Sequence, residues 1–275
     1  MSTNRMALTR EAALAAEHLA IGVTALGKAN YAQHAYYGQA FFALSIGLER
    51  ATKLALVIDH AIKNSGTFPS KPVLRRYGHN LKDLLERMNE IARDYGLSSA
   101  EDRLPCTNIH RGVIETLSDF AMNITRYYNL DFVTGAPTTI HHDDPMSAWF
   151  DRVTLPILDL HYKPRNKRRH DQDARLISQL IEGDSFVLYH HETGKVLDSV
   201  YEASMQTAIT NFTEPYTRMY VMQIIRFVAR LLTEIGDAAQ KKGLADIPSM
   251  IDFFAIFHNS DEYFKDRRTW SIYKP

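Results

Sequence analysis

AYYGQAFFALSIGLERATKLALVIDHAIKN, residues 35–64, is the stretch whose reading decides the fold. Phe41, Leu44, Leu48, Thr52, Ala55 and Ile62 recur along it at helical steps, which is the core-facing stripe of a long amphipathic helix. Glu49, Arg50 and Lys53 interrupt the apolar run, so it falls short of the roughly 20 consecutive apolar residues that a membrane span needs. SGTFPSKP, with one glycine and two prolines, then breaks the chain.

Outward from this helix the same period continues on both sides. Upstream, Thr9 is expected to cap a helix running to about Asn30, with Leu14, Leu19, Ile21, Val23 and Leu26 as its apolar side. Downstream, Asn80 caps a helix whose Leu81, Leu84, Leu85, Met88 and Ile91 share a face, and Gly96 ends it. A further helix starts near Thr107 and carries Ile109, Val113, Leu117, Phe120, Ile124 and Tyr128. Four such helices predict a helical bundle over residues 1–135.

The pattern lapses from Asn129 to Pro145 and resumes over Met146–His161, where Pro156 should kink the helix or mark its first turn. Pro164 opens a helix through Ile181. SFVLYHHETGKVLDSV reads instead as two β-rich runs around a Glu-Thr-Gly turn, a small hairpin over 186–199. Thr213 and Pro215 mark the expected start of a long helix that stops at Lys241, Lys242 and Gly243. A short apolar helix, IPSMIDFFAIF, with Phe253, Phe254 and Phe257 at core spacing, and a polar tail containing Trp270 follow. The fold expected is all-α: an N-terminal bundle, then a second helical region over 146–275 with one hairpin, the two able to pack as one unit.

Composition narrows the class. Of 275 residues, 45% are apolar and 23% charged, the balance of a globular chain rather than a disordered one. Lys plus Arg and Asp plus Glu both number 32, so no global field draws the molecule to nucleic acid or anionic lipid, and charge recognition must come from local patches. Cys106 is the single cysteine, which rules out an intrachain disulfide and fits a reducing, cytoplasmic setting. No phosphate-binding glycine loop, serine nucleophile elbow or dinucleotide fingerprint is present.

The region from Tyr36 to Met88 resembles the HEPN superfamily of helical bundles. The similarity lies in the long helix with Glu49 and Lys53 near its middle, in Gly78-His79-Asn80-Leu81 at the start of the next helix, and in Arg126-Tyr127-Tyr128 at the end of a later one. It extends over about residues 36–130. The resemblance implies an RNA-directed effector of toxin or antiviral type, a homodimer with its site between two protomers, and no metal or other cofactor. In catalytic members the ribonuclease motif is Arg, then four to six residues, then His, with a polar residue after the Arg. Arg165-Asn166 to His170 matches it; Arg103 to His110 has the spacing but Leu104 after the Arg. Arg165 lies one helix and a long loop further along than the family places its motif.

KPRNKRRH carries the densest local charge: Lys163, Arg165, Lys167, Arg168 and Arg169. Cations at a helix start oppose the positive end of its dipole, so helix stability does not select them, whereas a phosphate backbone does. On the implied chemistry Arg165 stabilises charge on the scissile phosphate, Asn166 orients the site, and His170 exchanges the proton. The plain alternative is a solvated basic face balanced by Asp171 and Asp173. A non-enzymatic interaction or regulatory protein is the competing class. A metal-dependent hydrolase built on His141, His142, Asp143 and Asp144 is a more distant one.

Overall fold

A computed structural model describes residues 2–97, 99, 103–122, 127–134 and 144–272. The first helix, α1 (Thr3–Leu26), begins one and a half turns before Thr9, because Ser2 accepts from the Arg5 amide and caps it. Thr9 sits inside and returns its hydroxyl to the Arg5 carbonyl at 2.8 Å. Leu19, Val23 and Leu26 are buried as expected, but Leu14 and Ile21 are 42% and 57% exposed. The inward face is instead lined by the small residues Ala12, Ala15, Ala16 and Ala20.

That substitution of small for large has a reason in α2 (Ala35–Lys63). The two helices run antiparallel and touch backbone to side chain: a Cβ on Gly22 would lie 2.6 Å from Leu44 Cγ, and one on Gly47 would lie 2.9 Å from Leu19 Cγ. Only residues lacking a Cβ allow this approach, so the large side chains belong to the partner and the alanines and glycines make room. Phe41, Leu44, Leu48, Thr52, Ala55 and Ile62 are all buried, and α2 becomes the central post on which other helices stand.

After the short α3 (Lys71–Arg76), α4 (Leu81–Asp94) starts at Asn80, which accepts from the amides of Lys82 and Asp83. Gly96 ends it with φ +74°. Helix α5 (Asn108–Ala121) is capped by Thr107 and stops earlier than the sequence pattern implies; Tyr128 belongs to a separate short α6 (Tyr128–Val133), and Ile124 lies outside the described residues. The stretch around Pro156 resolves into α7 (Pro145–Trp149), a π-helical turn (Phe150–Thr154) and α8 (Leu155–His161). Proline lacks the N–H that would bond back one turn, and the ladder widens just before it.

Helix α9 (Pro164–Ile181) leads through a 3₁₀ turn to an antiparallel pair of two-residue strands, Tyr189–His190 and Val196–Leu197. This is the expected hairpin in shorter form. The final long helix, α10 (Val200–Lys241), starts well before Thr213, and Pro215 lies in its interior. Ser199 caps it by accepting from the Glu202 amide, and buried Val200, Gln206 and Thr213 hold the first turns against neighbours, so packing overrides the local start signal at Thr213 and Pro215. Helices α11 (Ile251–Phe254) and α12 (Asp261–Asp266) close the chain.

Both halves contribute to one buried cluster, in which α10 packs on α2 and Leu19, Phe41, Leu85, Leu117, Trp149, Phe227, Phe254 and Trp270 all participate. Trp270, which the sequence places in a polar tail, is 4% exposed and its amide donates to Thr24 Oγ1 at 2.9 Å. Arg218 on α10 fixes the same tail from inside: it is 1% exposed, its Nε donates to the Phe264 carbonyl at 2.7 Å, and its other nitrogens reach Glu214 and the Lys265 carbonyl.

Histidines inside this packing are held neutral. His110 joins α5 to α10, with Nε2 2.7 Å from Gln223 Oε1 and Nδ1 2.7 Å from the Thr107 hydroxyl. The amide oxygen only accepts, so Nε2 carries the proton and Nδ1 accepts from Thr107. Burial pushes the His110, His161, His191 and His258 pKa values down. A base whose folded pKa is depressed contributes stability that is complete above its unfolded value, about 6.5, and lost as pH falls toward the folded one. Melting temperature is therefore expected to drop between pH 7.5 and 5.5 in calorimetry; a flat or rising profile contradicts this account.

Candidate functional site

The residues singled out by charge lie along the first two turns of α9. Lys163, Arg165, Lys167, Arg168 and Arg169 are exposed, and Asn166 and His170 are half-buried. Lys163 returns its ammonium to the Leu160 carbonyl at 3.3 Å. Among the described residues, Arg165, Lys167 and Arg168 make no side-chain hydrogen bond or ion pair. Downstream Asp171 does not balance them, because it is taken by Arg175 at 3.0 Å and by the Tyr201 hydroxyl at 2.6 Å.

His170 is oriented on both sides. Its Nδ1 lies 2.8 Å from the Tyr162 hydroxyl, and its Nε2 lies 3.3 Å from a nitrogen of Arg169. A guanidinium can only donate, so Nε2 accepts and Nδ1–H donates to Tyr162. Burial, and then the Arg169 charge, lower the His170 pKa, which keeps the ring in its basic form. The guanidinium beside His170 thus belongs to Arg169. Arg165 and His170 stand five residues apart on one helix, about 140° around its axis, and a single chain does not bring them together.

Of the residues that carry the resemblance, Glu49, Lys53, His79 and Asn80 meet at the junction of α2 and α4. Tyr127 and Tyr128 border a cavity beside Tyr37, and Arg126 lies outside the described residues. Lys53 pairs with Glu49 at 2.8 Å, and His79 Nδ1 lies 2.9 Å from the same Glu49 oxygen. Asn80 beside them caps α4 and receives the Ser118 hydroxyl at 3.1 Å. The cluster ties three helices and leaves His79 largely exposed.

A second polar cluster was not legible in the sequence. Glu192, at the hairpin turn, is 4% exposed, yet it accepts from the buried Tyr37 hydroxyl at 3.1 Å and from Gln206 at 3.4 Å. His191 Nε2 sits 3.6 Å away. These contacts bolt the hairpin to the start of α2 and to α10. Burial beside this carboxylate raises the Tyr37 phenol well above its usual value. On the other side of Tyr37 lies a cavity of about 390 Å³, bordered by His34, Phe41, Phe120, Tyr128, Asp144 and Met146. Asp144 caps α7 through the Met146 and Ser147 amides, and burial raises its pKa. A turn-flanking His-Glu pair looks like a solvated loop in sequence; only the long-range partners Tyr37 and Gln206 reveal it as buried.

His141, His142 and Asp143 lie outside the described residues, and among the described residues no group of three or more histidine, cysteine or acidic side chains is placed to hold a metal ion. Cys106 is exposed, and the ring of His110, four residues on, contacts Thr107 and Gln223. No helix among the described residues is long and apolar enough to cross a membrane. No protein-family model, no curated protein and no solved structure matches this chain.

Proposed function

We propose that this chain is an RNA-binding effector of HEPN-like type that grips phosphate with the start of α9, and that His170 is the base of a metal-independent cleavage. The observation that carries the reading is the exposed row Arg165, Lys167 and Arg168, free of acidic partners among the described residues and adjoining an imidazole whose pKa is lowered by burial and then by the Arg169 charge. Bidentate guanidinium groups suit phosphate oxygens. Once the Arg169 guanidinium turns from His170 Nε2 to a phosphate, that nitrogen of the neutral imidazole can take the 2′-hydroxyl proton. In that step the 2′-oxygen forms its bond to phosphorus, the 5′-oxygen leaves and is protonated from solvent, and a 2′,3′-cyclic phosphate remains. Asn166 borders the row, and Arg165 acts on the phosphate of an RNA that wraps the helix or enters from a second protomer.

The test is incubation of the protein with total RNA beside His170→Ala. Cleavage is expected to fall about 100-fold or more while RNA binding persists. Undiminished degradation by the variant removes the mechanism, and absence of RNA binding by the native chain removes the reading.

A non-enzymatic interaction protein is the second reading, favoured by a specific observation. Large apolar side chains stand exposed on the second half of α9 and in the segment that leads to the hairpin, Leu180 at 70% and Phe186 at 89%.

A further inference from the structure

A small polar cavity of about 30 Å³ lies where the hairpin meets α2, the π-helical turn and α10. Glu192, Gln206, Thr154, Thr213, Thr217 and Glu214 are among the side chains that line it. Tyr37 donates to one oxygen of the buried Glu192 carboxylate and Gln206 to the other, the acceptor-only pattern of the ionised form. Both donors are neutral. His191, 3.6 Å away, brings no charge either: its Nδ1 accepts from the Thr193 amide at 3.1 Å, which places the ring's single proton on Nε2. Among the described residues no lysine or arginine pairs with Glu192, and Glu214 is already neutralised by Arg218. One negative charge is left buried without a counter-charge.

Two hydroxyls on the cavity wall are also unmet. Thr154 and Thr217 are each 8% exposed, and among the described residues neither hydroxyl has a hydrogen-bond partner. Helical threonines at other buried places, Thr52 and Thr213, turn the hydroxyl back to a carbonyl one turn earlier. We infer that the cavity binds a single monovalent cation, an alkali metal ion or ammonium, which Glu192 balances in charge and the Thr154 and Thr217 oxygens help to coordinate.

Size and charge select that occupant. One water needs ~10–15 Å³, so the cavity takes a bare ion and at most one water beside it. A divalent ion would leave a positive charge buried in its turn, and magnesium keeps a hydration shell for which there is no room. Water alone meets the two hydroxyls but not the charge. The bound ion joins the hairpin, the π-helical turn and α10 beside the start of α2, so its effect is read in the stability of the whole chain. The site stands or falls separately from the RNA reading, since none of the residues that line it lies on α9.

Thermal unfolding of the full chain in chloride salts at constant ionic strength is the measurement, with choline, too large for the cavity, as the reference cation. Potassium, sodium or ammonium in place of choline is expected to raise the melting temperature by about 3 °C or more, saturably, and the chloride that acts identifies the ion. Glu192→Gln keeps the size of the side chain and removes its charge, and the difference between the salts is expected to vanish. Thr154→Val with Thr217→Val keeps the charge and removes two oxygens, and the half-saturating concentration is expected to rise about tenfold; this variant decides the matter if Glu192→Gln fails to fold. Equal melting temperatures in all four salts, the behaviour of a cavity that holds water only, overturn the inference. So does a difference that persists in Glu192→Gln, or one that grows with salt without saturating.

Discussion

Arg218→Met is expected to destabilise the fold by about 3–5 kcal/mol, the range for removing one partner of a buried ionic network. The side chain is 1% exposed and serves three acceptors: Glu214 one turn earlier on α10, and the carbonyls of Phe264 and Lys265 at the end of α12. Those carbonyls belong to the last turn of a short helix, where no intrahelical N–H is available to them. Methionine fills similar volume but leaves the carbonyls and the Glu214 carboxylate unpaired away from water, and that penalty dominates the gain from a less costly side chain. Burial already draws the Arg218 pKa down to about 10, a sign of how little solvent supports the charge. Urea unfolding supplies the number, and hydrogen exchange at residues 261–272 should rise first, since Phe264 and Trp270 lie on this anchor. A loss below about 1 kcal/mol shows the network to be dispensable.

The bundle was legible wherever one local signal sufficed. The stripe from Phe41 to Ile62, the Asn80 cap, the left-handed Gly96 and the start of α9 at Pro164 each follow from a few neighbouring residues, and the structure has them in place. What was not legible depended on distant partners. Pro215 reads as a first-turn residue, yet Ser199 begins the helix, because tertiary contacts of Val200 and Gln206 outweigh the local penalty. Leu14 and Ile21 look like core, but the glycine-mediated crossing of α1 on α2 rotates small residues inward and leaves them outside. Trp270 looks like tail because Thr24, which accepts its amide, and Arg218, which holds the Phe264 that its ring packs on, stand far away in sequence.

The candidate site divides the same way. Charge density at residues 163–169 is a composition fact and was visible. That Arg169, and not Arg165, lies beside His170 is a matter of side-chain direction, which spacing alone does not give.

The row of cations on α9 carries the second large effect. Arg165→Glu, Lys167→Glu and Arg168→Glu together are expected to weaken RNA binding on the order of 100-fold at low salt, because each reversal removes a phosphate contact and adds a repulsion. The slope of log affinity against log salt should become shallower by about 2 units, the value for three phosphates of a single strand at ~0.7 each. Folding should be spared, as these side chains are exposed and make no hydrogen bond or ion pair among the described residues. Replacing cations near a helix start with acids even favours the helix dipole, so a small rise in thermal stability should accompany the loss of binding. That opposition of signs is diagnostic: a basic face kept only for solubility gives the stability change without any change in RNA affinity. Filter binding at 50, 100 and 200 mM salt, set beside the melting temperature of the same variant, separates the two.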